Sequence, residues 1–263
     1  MPTWSDRAFD LAVSVAHRAG RLLDRNLLGR RTIEHKSGFG NLVTEMDRAS
    51  EELIVRAIRR TFPDHAIVAE ESGRHEGAGG RWFVDPLDGT MNYAHGLPMY
   101  AVSIAFEREG RMEGGVVYHP ALDELWWARR GRGAWRNRRR VRVSRTARLS
   151  EAFLCTGFPY AMAPKVENLR YWDAFIRRAS AVRRVGSASL DLCYTAGGIY
   201  DGFWEFHLGP WDIAAGLLLC EEAGAKVSNY TGRPVDLFRG EVVAANPRLH
   251  QAMLAVLRRA RLY

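Results

Sequence analysis

Residues 82–96 read WFVDPLDGTMNYAHG. Trp82-Phe83-Val84 is a short apolar run of aromatic and β-branched residues, which predicts a buried strand ending at Asp85. Pro86 fixes its own φ and has no N–H to donate, so the ladder should break there and the chain turn. Asp88, Gly89 and Thr90 follow, where a short helix is expected to begin. Two acids three residues apart across a turn can face one centre. Mg²⁺ asks for near-octahedral oxygen ligation from a few carboxylates, water and substrate phosphate. The Leu87 carbonyl, between the acids, is a further oxygen donor, and the Gly89 and Thr90 amides at a helix start suit a phosphate. The same spacing also suits a plain strand-ending turn with Asp88 as a helix cap.

Outward from this stretch, two more acids sit where elements end or begin. Glu70-Glu71 follows the apolar run 66–69 (AIVA), and Asp212 follows Trp211 at the start of an apolar helix. Taken singly, the first suits a solvated loop and the second a first-turn acid facing the helix dipole. Helices are expected over 4–28, with Ser5 as cap, from Thr44 to before Pro63, over 167–180, 188–197, 210–223 and 248–261. Strands are expected at 66–69, 82–85, 101–106, 114–119, 124–128, 182–185, 201–206 and 241–245, and residues 72–80 as an exposed polar loop. Pro210 near a helix start and Gly224 just past its end have the usual asymmetry. This is a layered α+β pattern.

The 263 residues, 47% apolar and 26% charged, belong to an ordinary globular chain. No apolar run reaches the roughly 18–20 residues that span a bilayer. The first residues lack a basic region followed by an apolar block, so no secretory leader, no membrane partner and a cytoplasmic location are expected. Cys155, Cys193 and Cys220 are odd in number and widely spaced, which argues against a disulfide framework or zinc site and for three core thiols. The net charge of +8 favours anionic ligands.

Together these residues resemble the inositol monophosphatase family of lithium-sensitive, Mg²⁺-dependent phosphatases. The resemblance is carried by Phe83 to His95, by Trp211-Asp212-Ile213-Ala214-Ala215-Gly216 continuing to Glu222-Ala223-Gly224-Ala225, and by Lys36, Asn41-Leu42-Val43-Thr44, Asp47 and Glu70-Glu71-Ser72. It spans nearly the whole chain; Ala69 stands where the family usually has Gly. It implies an αβαβα sandwich of the inositol monophosphatase and fructose-1,6-bisphosphatase type, as one domain with packed halves at about 1–145 and 146–263. It implies that Glu70, Asp85 and the Leu87 carbonyl hold one Mg²⁺ and that Asp85, Asp88 and Asp212 hold a second, with a third, weaker ion near Glu70. Asp47, Glu70 and Thr90 are implied to be catalytic, Thr90 and Asp47 by orienting and helping deprotonate the attacking water. Thr44 and Asp47 also match a capping box at the start of the second helix. Lys36 is implied to lie in a mobile loop that closes over the metals. Lithium sensitivity and a homodimer are further expectations.

For substrate, the resemblance points to a small phosphorylated polyol or sugar, first of all inositol monophosphate. Leu87, Asp88, Gly89, Thr90 and Asp212 face its phosphate side; Ser187 and Ala188 form a sugar-side loop, and Glu205 meets a ring hydroxyl. Gly186-Ser187 also suits a simple helix cap. Phosphatases of the same fold acting on fructose 1,6-bisphosphate, histidinol phosphate or a nucleotide 3′-phosphate are the alternatives. A reading of a different class rests on 129–145, RRGRGAWRNRRRVRVSR, whose nine arginines stand beside Trp126, Trp127 and Trp135. Basic residues interleaved with aromatics bind single-stranded nucleic acid. A solvated hairpin face explains the same run, and nucleic acid is not the expected main partner.

Overall fold

The computed structural model describes residues 3–29, 33–35, 42–159 and 162–260. Lys36 and Asn41 lie outside them. In chain order the elements are α1 (Trp4–Asn26), β1 (Ile33–His35), β2 (Leu42–Thr44), α2 (Glu45–Thr61), β3 (Ala66–Ala69), β4 (Gly73–His75), β5 (Arg81–Asp88), α3 (Thr90–Ala94), β6 (Ala101–Arg108), β7 (Arg111–His119) and β8 (Glu124–Arg129). They continue with β9 (Ala134–Arg136), β10 (Arg139–Val141), β11 (Phe153–Thr156), α4 (Met162–Ile176), β12 (Ala181–Arg183), α5 (Ala188–Ala196), β13 (Gly202–Glu205), α6 (Pro210–Glu222), β14 (Lys226–Ser228), β15 (Val242–Ala245) and α7 (His250–Ala260).

Among the described residues an eight-stranded sheet runs β10-β9-β8-β7-β6-β5-β3-β4 and a five-stranded sheet β12-β11-β13-β15-β14. Helices α1 and α2 cover one face of the larger sheet, α5 and α6 fill the space between the sheets, and α4 and α7 cover the outer face of the smaller one. This is the expected five-layer αβαβα sandwich. The sequence of α6 dictates its place. From Ile213 to Cys220 every side of the helix is apolar and buried, and a helix apolar all round must be covered all round. β6 is buried on both faces for the same reason. Burial of each large side chain in this middle layer contributes about 1.5–3 kcal/mol. On the outside of the larger sheet α1 packs tightly; a Cβ on Gly20 would lie 2.3 Å from the Tyr118 ring.

Several expectations are corrected. The cap of α1 is Thr3, not Ser5: its hydroxyl accepts from Asp6 N, and Asp6 Oδ2 accepts from Thr3 N. Residues 73–75, expected in a loop, form β4 antiparallel to β3. Pro86 does not end the strand. The ladder with β6 is paired at Asp85 and again at Asp88, with a register shift between, so the bulge absorbs the residue that cannot donate. Strands β11 and β14 were not among the expected ones.

Candidate active site

β3 and β5 are parallel, with Ala69 opposite Val84, and Glu70 N bonds Val84 O at 3.2 Å. Their common end therefore sets Glu70 beside Asp85. Asp88 follows across the bulge. Asp212 enters from the first turn of α6, where its Oδ2 accepts from Gly209 N at 2.6 Å. Its capping role and its place in the cluster thus coexist. The four acids line a cleft of about 490 Å³, together with Leu87, Gly89, Thr90, Ser187, Ala188 and Glu205, a size suited to a small ligand. Every candidate site residue among the described ones except Asp47 lies in this lining.

The three aspartates are anchored locally, Asp212 by Gly209 N. Asp85 Oδ1 accepts from Leu87 N at 3.0 Å. Asp88 Oδ2 accepts from Ser187 Oγ at 2.6 Å, from Ser189 N at 2.8 Å and from Ser189 Oγ. Asp88 is not a helix cap: Gly89 holds that position in α3, with no side-chain cap bond. Gly89 is required there twice over, by its φ of 88° and because a Cβ would lie 2.7 Å from Met99 O. Ser187 holds the cap position of α5 without a side-chain cap bond; its hydroxyl serves Asp88 instead.

Asp47 resolves the choice between cap and cleft by using both oxygens. Its Oδ2 accepts from Thr44 N at 2.8 Å and Thr44 Oγ1 at 2.6 Å, completing the capping box. Its Oδ1 accepts from Thr90 Oγ1 at 2.9 Å. The Thr90 hydroxyl also lies 3.0 Å from Leu87 O.

The electrostatics are those of acids crowded together. Burial, then Glu70, Asp88 and Asp212, hold Asp85 well above the ordinary carboxylate range. Burial, then Glu70 and Asp88, do the same to Asp212, whose carboxyl is within hydrogen-bonding reach of Asp85. Asp88 is raised by burial against the pull of its Ser187 and Ser189 donors. Glu205 is pushed up to about 8, by burial first and then by Asp212 and Asp88. Buried like charges disfavour one another's ionised form. A hard cation with oxygen ligands relieves that conflict, so the donor set fits Mg²⁺. No three His, Cys, Asp or Glu side chains among the described residues form a ready-made cage; Asp85, Asp88 and Asp212 are held by amides and hydroxyls.

Several residues of the site escaped the sequence reading. Glu51, buried in α2, accepts from Glu71 N and Ser72 N at 2.8 and 2.7 Å and fixes the turn that presents Glu70. Ser50 Oγ donates to Pro86 O at 2.8 Å and ties the bulge to α2. Asn92 donates to Met99 O and Val185 O, joining α3 to the loop before α5. Gly157 is small because Glu205 lies against it; a Cβ there would sit 2.0 Å from Glu205 Oε1. Asp191 is buried in α5 with neither carboxyl oxygen bonded. Burial first, then Glu205 and Asp88, hold it well above the ordinary range.

The whole chain is similar to known proteins. It matches the inositol monophosphatase family over residues 4–262. It is 44% identical over 257 residues to Nus factor SuhB of Pseudomonas aeruginosa, covering 94% of each chain, and 43% identical over 253 residues to Nus factor SuhB of Escherichia coli, covering 95% of each. Among solved structures, the extragenic suppressor protein suhB of Bartonella henselae superposes with a TM-score of 0.91 at 37% identity, covering 96% of this chain and 98% of that one. The IMPase of Thermotoga maritima gives 0.90 at 34% identity, covering 97% and 98%. In sequence and in fold, the chain belongs to the inositol monophosphatase family.

Proposed function

We propose that the protein hydrolyses small phosphate monoesters in a Mg²⁺-dependent reaction, with inositol monophosphate as the foremost substrate. The observation that carries this reading is the convergence of Glu70, Asp85, Asp88 and Asp212 on one cleft beside a Thr90 hydroxyl bonded to Asp47. Two solved relatives support it: the Thermotoga maritima protein is named an IMPase, and the IMPase-II structure with inositol monophosphate bound superposes with a TM-score of 0.81 at 25% identity.

Uncatalysed phosphate monoester hydrolysis is so slow that enzymes accelerate it up to about 10²¹-fold. Bound divalent cations supply charge neutralisation and acidify a water. Glu70, Asp85, the Leu87 carbonyl, Asp88 and Asp212 would hold them. The remaining work falls to this chain. Thr90 donates its proton to Asp47 Oδ1, which turns its own lone pairs to an incoming water and lets the pair take up a proton from it. Asp47 is itself kept in one rotamer by Thr44, so the acceptor is positioned before substrate arrives. The Gly89 and Thr90 amides stand beside the acids as donors for phosphoryl oxygens, where charge develops in a loose transition state. Glu205, in the lining of the same cleft, offers its carboxyl to a polyol hydroxyl of the substrate.

A panel of inositol monophosphate, fructose 1,6-bisphosphate, histidinol phosphate and 3′-phosphoadenosine 5′-phosphate, assayed for released phosphate with and without Mg²⁺, tests the proposal. Turnover highest on inositol monophosphate and absent without the metal is expected. Turnover of another ester with none on inositol monophosphate would overturn the substrate, and turnover indifferent to Mg²⁺ would overturn the mechanism.

A further inference from the structure

The arginine-rich segment at the far edge of the larger sheet takes no part in the cleft. β10 is five strands from β5, which at about 4.8 Å per strand places it roughly 24 Å away. Residues 129–145 hold nine arginines and no acid, so this one hairpin outweighs the +8 of the whole chain. Three of the nine are structural: Arg129 pairs with Asp6, Arg130 with Glu221 and Arg136 with Glu124. The other six, Arg132, Arg138, Arg139, Arg140, Arg142 and Arg145, are exposed and form no ion pair among the described residues. The nearby acids are already engaged. Glu222 accepts from Gly131 N and Gly133 N, and Asp123 from the Tyr118 hydroxyl.

Beside these cations lies an aromatic ladder. Trp127 and Trp135 are directly opposed across β8 and β9, and their rings stack at 5.3 Å with planes 6° apart. Phe9 of α1 packs on Trp127 at 5.1 Å. Arg140 is directly opposed to Trp135 across β9 and β10, hence on the same face. The indole N–H groups donate to Asn137 O and Arg132 O, both at 3.1 Å, so the rings are fixed before any ligand binds. Trp135, half-buried, ends the ladder.

We propose that this edge binds single-stranded nucleic acid. The free arginines neutralise successive phosphates, and Trp135 extends its stack with an unpaired base. An acidic protein would use the charge and leave the rigid ring stack idle. A membrane surface would need apolar anchors, and every exposed large apolar side chain among the described residues lies outside 129–145. A duplex has no free base face to offer.

The test is fluorescence anisotropy of labelled twelve-nucleotide oligouridylate and oligodeoxythymidylate, titrated with the full chain at about 50 and 200 mM salt. Binding of a single strand, weakened by salt, is expected. The Arg138→Ala/Arg139→Ala/Arg142→Ala variant should lose at least about tenfold and flatten the log–log salt slope by about 2, from roughly 0.7 per phosphate contact. Trp135→Ala should lose about 5- to 150-fold, the equivalent of about 1–3 kcal/mol for one stacked base, and Trp135→Phe should recover most of it. Phosphate release stays unchanged in all three. Wild-type protein that binds neither strand overturns the proposal. So does equal affinity for duplex and heparin with Trp135→Ala indifferent. The triple variant, confined to exposed side chains, keeps the test decisive if Trp135→Ala fails to fold.

Discussion

Thr90→Val removes one hydroxyl and keeps the shape of the side chain. In the wild type that hydroxyl lies 2.9 Å from Asp47 Oδ1 and 3.0 Å from Leu87 O. Its loss strips one bond from a buried carboxylate, which costs about 1–3 kcal/mol. Asp47 keeps both Thr44 contacts on its other oxygen, so the lower end of that range applies and the fold survives. The effect on reaction is larger. A positioned proton acceptor contributes about 10²–10⁴ to rate, or about 2.7–5.4 kcal/mol at about 1.36 kcal/mol per tenfold. Thr90→Val should therefore lower kcat for phosphate release by about 10²–10⁴ with KM nearly unchanged, and Thr90→Ser should restore most of it. Thr44→Val is the control: it weakens the cap by about 0.5–2 kcal/mol but leaves Thr90 bonded to Asp47. It should lower the thermal midpoint and, because the Thr44 N–H still holds Asp47 Oδ2, cost much less kcat than Thr90→Val. Wild-type kcat in a folded Thr90→Val enzyme, or equal losses from both variants, would refute the role of the hydroxyl.

Three further outcomes follow from the same geometry. Gly157→Ala, whose Cβ would meet Glu205 Oε1 at 2.0 Å, should displace Glu205 and raise KM for inositol monophosphate by about tenfold or more; an unchanged KM would remove Glu205 from the substrate end. His119 is buried, with its Nε2 donating to Pro98 O, and burial, against Pro98, Glu124 and with Arg136, holds it below its ordinary value of 6.5. Unfolding then takes up a proton as pH falls, so its contribution is full above about pH 6.5 and declines below it; thermal midpoints from pH 7.5 to 5 should fall less steeply in His119→Gln, and an identical slope would contradict this. The family resemblance also implies a homodimer, so sedimentation should give twice the 29.7 kDa chain mass, and the chain mass alone would refute it.

What was legible in the sequence was local. The strand that carries Asp85, the helix starting at Pro210 and the acid that each holds could be read because the signals lie within a few residues of one another. The all-apolar α6 told its own place between two sheets. The Thr44–Asp47 spacing gave the cap, but not that the second oxygen of Asp47 turns to Thr90, 43 residues away. Likewise nothing near Asp88 announces that Ser189, 101 residues on, will hold it, or near Glu70 that Glu51 will shape its turn. Such partners are ordinary polar residues whose meaning comes from the packing of α2 and α5 against the sheet. Pro86 misled for a related reason: its missing donor is real, but a bulge lets the strand continue past it.

The central claim is that the crowded acids await a cation, and thermal unfolding of wild type and Asp85→Asn with and without Mg²⁺ tests it most directly. Asp85 is raised by burial and by three neighbouring acids, so its neutral replacement should make the metal-free protein at least as stable as wild type. Mg²⁺ should raise the wild-type midpoint by preferential binding to the folded state, leave the Asp85→Asn midpoint nearly unmoved, and support phosphate release only in the wild type. A variant that is stabilised by Mg²⁺ and releases phosphate as the wild type does would contradict the account.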